Sequence, residues 1–86
     1  MPELSRFFGI IIRMYFNDHN PPHFHAHHGK FRAIIKIDDL AIIENNLSPK
    51  ALSLVIEWAI IHQKELLKNW SDIKKTGKFD KIKPLE

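Results

Sequence analysis

A chain of 86 residues has room for one small domain with one modest core, and none for a second. With 44% hydrophobic and 27% charged residues it has the makeup of a folded protein, and without cysteine it can form neither disulfides nor thiolate metal sites. The formal net charge of +3 gathers toward the C-terminus, where Lys68, Lys74, Lys75, Lys78, Lys81 and Lys83 outnumber Asp72, Asp80 and Glu86. Such an end suits phosphates or an acidic partner; the plainer reading is a solvated lysine-rich surface.

The N-terminal stretch MPELSRFFGIIIR holds an apolar run too short and too mixed for a signal peptide or a membrane span, so the expected location is the cytoplasm. Residues 9–17, GIIIRMYFN, are apolar, β-branched and aromatic and predict a strand. NDHNPP, residues 17–22, predicts a loop, because consecutive prolines stop regular pairing. HFHAHH and FRAIIKID then alternate on either side of Gly29-Lys30, which predicts a β-hairpin with a type II′ turn. Asp38-Asp39 reads as another tight turn, followed by a short strand, LAIIE.

Ser48 before Pro49 is a good helix start, a hydroxyl cap followed by a proline at the first helical position. The helix is expected from about Pro49 to Asn69. Its apolar residues Leu52, Val55, Ile56, Ala59, Leu66 and Trp70 lie near the helical period. Leu54, Trp58, Ile60 and Ile61 widen the stripe, which hints at cover from a partner or a second copy. A further short helical turn is expected near Ser71 to Lys75, ended by Gly77. Residues 76–86 form a basic tail expected to be loosely held. The expected fold is therefore α+β: a single domain with an antiparallel sheet of about four strands and a long C-terminal helix across one face.

Five of the six histidines fall within HNPPHFHAHH, residues 19–28. The hairpin turn fixes their geometry. It sets His28 opposite Phe31, His27 opposite Arg32, His25 opposite Ile34 and His23 opposite Lys36. Strand side chains alternate between faces. Phe24, Ala26, Phe31, Ala33, Ile35 and Ile37 then share the core face with Ile10, Ile12, Met14 and Phe16. The other face carries His23, His25, His27 and Arg32, joined by Arg13 and Tyr15. Ile34 and Ile43 on that face suit a floor for a base or a contact with a protein.

Two chemistries fit this face. His23 and His25 stand roughly 6.5–7 Å apart at their bases and can tilt to share one ion. His19 or Asp18 would supply a third ligand, leaving a position open for zinc, nickel or manganese. The alternative is metal-free cleavage of RNA through its own 2′-hydroxyl, with one histidine as base and another as acid. Arg13, Tyr15 and Arg32 would then contact the phosphate or its transition state. Against both stands a plain surface reading: His27 and His28 flank a turn, His62 sits in the helix with no assigned role, and Asp18 and Asn20 shape a loop.

The runs SRFFGIIIRMYFNDHNPPHFHAHHGKFRAIIKID and SPKALSLVIEWAIIHQKELLKNW resemble a family of small prokaryotic proteins grouped as domain of unknown function number 4160. The resemblance reaches from Ser5 to about Leu85. The family's motif falls on Tyr15, Asn17, Asp18, His19, Asn20, Pro21, Pro22, His23, Phe24 and His25; His27 and His28 lie outside it. The resemblance implies a partner, because members are commonly encoded beside another small protein in an arrangement like a toxin–antitoxin pair. The neighbour sometimes carries a DNA-binding segment, which would make it the antitoxin and a chain like this one the toxin. The resemblance brings no catalytic assignment. The expected function is thus a toxin acting as a histidine-dependent ribonuclease on His19, His23 and His25. The rival is a non-catalytic module of the same pair that binds metal or docks the partner.

Overall fold

The structure, a computed structural model, describes residues 3–86. It is an α+β fold in which five antiparallel strands run in sequence order and two helices cover one face. The strands are β1 (Glu3–Phe7), β2 (Ile10–Arg13), β3 (His23–His28), β4 (Phe31–Lys36) and β5 (Ile42–Asn45). The helices are α1 (Pro49–Ile61) and α2 (Gln63–Thr76).

The β3–β4 hairpin has the expected register, with His23 opposite Lys36, His25 opposite Ile34 and His28 opposite Phe31. Gly29 takes φ +61° and Lys30 stays at negative φ, as a type II′ turn requires. The alternation sends Phe24, Ala26, Ala33, Ile35 and Ile37 into the core, where Ile10, Ile12 and Met14 meet them. Two expected core residues lie outside it. Phe16 is 60% exposed because β2 ends at Arg13 and the chain turns between Tyr15 and Asp18. Phe31 is 45% exposed at the hairpin tip, with the Lys30 ammonium 5.5 Å from its ring centre.

The additional strand, β1, joins β2 through Phe8-Gly9, both at positive φ. Two positive φ values mark a type I′ turn, normally built from Asn-Gly or Gly-Gly. The α-helical stretch is divided at His62, whose backbone (φ −112°, ψ 22°) leaves the helical region. Ile60 and Ile61 precede the break, and β-branched neighbours weaken a helix. Gln63 secures the new direction by donating to the carbonyls of Ile37 and Asp38. The two segments bury different stripes: Ala51, Val55, Trp58 and Ala59 from α1, and Leu66, Asn69, Trp70 and Ile73 from α2. Their superposition explains the broad apolar stripe in the sequence. Ser48 caps α1 through its hydroxyl, and Gly77 ends α2 at φ +76°.

Residues 77–86 form no regular element but are tied to the body. Ile82 is buried and its N–H donates to the Leu4 carbonyl on β1. The buried Asn69 side chain donates to the Asp80 carbonyl and accepts from the Asp80 N–H, at 2.9 and 2.8 Å. Asn69→Ala should cost about 1–3 kcal/mol, since the tail's paired groups lose partners in a site closed to water. Urea unfolding checks this, and an unchanged midpoint would contradict it.

Candidate metal centre

The loop between β2 and β3 brings its carboxylate back over the sheet. Asp18 N–H reaches the Tyr15 carbonyl at 3.3 Å, a turn that aims the Asp18 side chain at the start of β3. There Asp18 Oδ2 lies 3.0 Å from His25 Nε2 and 3.2 Å from His23 Nε2. The ligating atoms of Asp18, His23 and His25 all fall within 4.8 Å of one another. Atoms bound about 2.1 Å from one metal stand roughly 3.0–3.4 Å apart in octahedral or tetrahedral arrangement. The two contacts to Asp18 match that spacing, and the three side chains form a group that could hold a divalent metal ion.

His23 carries a further indication. Its Nδ1 lies 2.8 Å from the Pro21 carbonyl oxygen, which can only accept, so Nδ1 bears the proton. The other ring nitrogen, Nε2, lies 3.2 Å from Asp18 Oδ2. A histidine that donates one ring N–H to a backbone carbonyl and offers the other nitrogen is the usual metal-ligand arrangement.

The other expected residues surround this centre unequally. Tyr15 stands edge-on to His25, with ring centres 4.6 Å apart, and its hydroxyl is 3.4 Å from His27 Nε2. Arg13 pairs across the strands with His25. Arg32 is engaged elsewhere: its Nε donates to Glu44 at 2.7 Å on the exposed side of β4 and β5. His19 is exposed and lies outside the converging trio, so the loop brings Asp18 rather than His19 to the two histidines. His28 sits at the far end of the strand, beside Gly9. His62 pairs with Glu65 at 2.6 Å, next to the helix break.

Two residues escaped the sequence reading. Trp70 on α2 packs its ring 5.2 Å from that of His23, centre to centre, and Lys74 lies over the same indole at 4.7 Å. Only the helix break and the docking of α2 bring them there; no local pattern signals it.

Burial holds His25 below the ordinary histidine pKa, against the opposing pull of Asp18. His27 is also lowered, by burial first and then by the positive charge of Arg13. Both rings are held neutral in the folded, metal-free protein more firmly than in the unfolded chain. The unfolded state then binds more protons below its own histidine pKa of about 6.5. Stability should fall as pH drops below that value and level off beneath the lowered folded values. Urea midpoints measured in chelator from about pH 7.5 to about pH 5 test it, with a shallower decline expected in His27→Gln. A midpoint that rises on acidification would refute the assignment.

Sheet, helices and cluster together define a small α+β protein bearing two histidines and one carboxylate arranged as a metal-ligand set. The chain belongs to the family Domain of unknown function (DUF4160), whose sequence model matches residues 9–71, the span from the start of β2 to the middle of α2. Searches of the curated proteins and of the solved structures found no match. No helix among the described residues is long and apolar enough to cross a membrane.

Proposed function

We propose that Asp18, His23 and His25 hold a divalent transition metal and that the centre serves cleavage of RNA, as the toxin-like member of a toxin–antitoxin pair. The single observation behind this reading is the convergence of Asp18, His23 and His25, with both histidine Nε2 atoms within 3.2 Å of Asp18 Oδ2 while His23 Nδ1 is committed to the Pro21 carbonyl. Two imidazoles and a carboxylate suit zinc, nickel or manganese, and three protein ligands leave room for water and substrate. When bound, such an ion supplies Lewis acidity and lowers the pKa of a coordinated water toward neutrality.

The chain's own residues would do the rest. His27, kept neutral near pH 7, can take a proton at Nε2, and the Tyr15 hydroxyl beside it can relay one. Arg13 places a fixed positive charge on the same side for a phosphate oxygen. Tyr15 and Trp70 fix the ring positions of His25 and His23 from two sides.

The test is a viable count after inducing the chain alone in a bacterial host, beside the His23→Ala/His25→Ala double variant at equal soluble level. Arrest by the wild type alone, with loss of intact cellular RNA, is the expected result. Equal growth of both removes the toxin reading. The second reading is a docking module without catalysis, favoured by Ile42 and Ile43, both about half exposed on the edge strand β5. It predicts metal uptake and partner binding without arrest.

A further inference from the structure

Beside the metal-ligand trio opens a cleft of about 350 Å3 lined by Asp18, His19, Asn20, Trp70 and Lys74. Asp18 is shared between the cleft and the trio. Trp70 joins them from the other side, touching His23 with the ring that also underlies Lys74. The cleft therefore adjoins the centre at Asp18.

Its chemistry is that of an anion site. Lys74 comes from the last turn of α2, where its ammonium sits 4.7 Å from the centre of the largely buried indole of Trp70. Cation–π contact holds the charge in place without neutralising it. Among the described residues Lys74 has no carboxylate partner, whereas Lys68 on the same helix is tied to both Asp72 and Asp80. The exposed His19 ring and the Asn20 amide add donors on the loop side. The one negative group is Asp18, and it faces the trio. A cation bound there would neutralise it and leave the cleft net positive.

We infer that this cleft is a phosphate subsite: Lys74, with His19 and Asn20, receives a backbone phosphate of a single-stranded nucleic acid next to the metal centre. The inference rests on the metal reading, since a bare Asp18 carboxylate would repel the anion. The size agrees with the assignment, because about 350 Å3 takes a phosphate with part of its sugar. Lys74 is here a binding residue, with no role as a metal ligand.

The experiment is titration calorimetry on zinc-loaded protein with inorganic phosphate as the probe, for the wild type, Lys74→Gln and Lys75→Gln. Lys75 is exposed on the same turn and does not line the cleft, so it controls for general charge. Lys74→Gln should weaken phosphate binding about tenfold or more, the loss expected of a charge-assisted hydrogen bond. Its zinc affinity and its thermal midpoint should match the wild type. A single-stranded oligonucleotide with 2′-O-methyl sugars should displace the phosphate from the wild type.

The outcomes separate cleanly. No zinc uptake by the wild type removes the metal centre and the subsite with it. Zinc uptake with equal phosphate affinity in Lys74→Gln and the wild type removes the subsite alone. An equal loss in Lys75→Gln does the same, by reducing the effect to net charge. Phosphate bound through Lys74 but not displaced by the oligonucleotide overturns the nucleic-acid assignment in favour of free phosphate.

Discussion

His25→Ala should lower zinc affinity by more than about 100-fold in a chelator-competition titration, because loss of an outer partner alone typically costs about 10–100-fold and a ligand costs more. Asp18→Asn should do comparable damage, since an amide keeps the shape but removes the charge that offsets a dication. His19→Ala should leave the affinity within a few-fold, because His19 does not converge with the trio. The ranking separates a built site from histidine-rich adhesion of metal, in which any of the five clustered histidines would serve. Equal affinity in the wild type and His25→Ala, or a loss in His19→Ala as large as that in His25→Ala, would sink the site.

Which parts of this centre could be read from the sequence follows from what set them. The hairpin was legible because one local feature fixes everything after it. Gly29 supplies the positive φ of the turn, the turn fixes the register, and the register places His23, His25 and His27 on one face. The helix start was legible for the same reason, since Ser48 and Pro49 act within one turn. The third member of the cluster was not. Asp18 and His19 are neighbours in a loop, and only the turn from Tyr15 to Asp18 decides which reaches the strand.

Longer-range features left still less trace. Strand β1 reads ELSRF, with Leu4, Ser5 and Phe7 all buried, a pattern that breaks the alternation of a half-buried strand. Its turn places Phe8 at φ +50°, a conformation that aromatic residues seldom adopt and that sequence does not announce. The division of the helix at His62 depends on Gln63 reaching carbonyls just after β4, a contact 25 or 26 residues distant. Trp70 and Lys74 reach the metal-ligand trio only through that division. The chemistry of the trio is thus local in origin, and the wall that completes it is tertiary.

Trp58→Ala should be the most damaging single change to the fold, at about 3–5 kcal/mol, the cost of emptying a large aromatic site in a core. A chain of this size has only a modest total, on the order of 0.05–0.15 kcal/mol per residue, so the variant should lose a large share of its stability. Trp58 is fully buried where the structure has fewest alternatives. Its ring centre lies 5.5 Å from that of Phe7 on β1, 6.0 Å from Phe24 on β3 and 5.4 Å from His62 at the helix break. Its indole N–H donates to the Lys83 carbonyl at 2.9 Å, holding the tail. One side chain thus joins both hairpins, the junction of α1 and α2, and the C-terminal segment. Trp58→Phe separates packing from hydrogen bonding: it keeps most of the ring and orphans the Lys83 carbonyl, at an expected cost of about 1–3 kcal/mol. Urea unfolding followed by far-UV circular dichroism measures both variants. If Trp58→Phe proves as costly as Trp58→Ala, the tail bond rather than the packing dominates. If Trp58→Ala costs less than about 1 kcal/mol, the side chain does not join these elements at all.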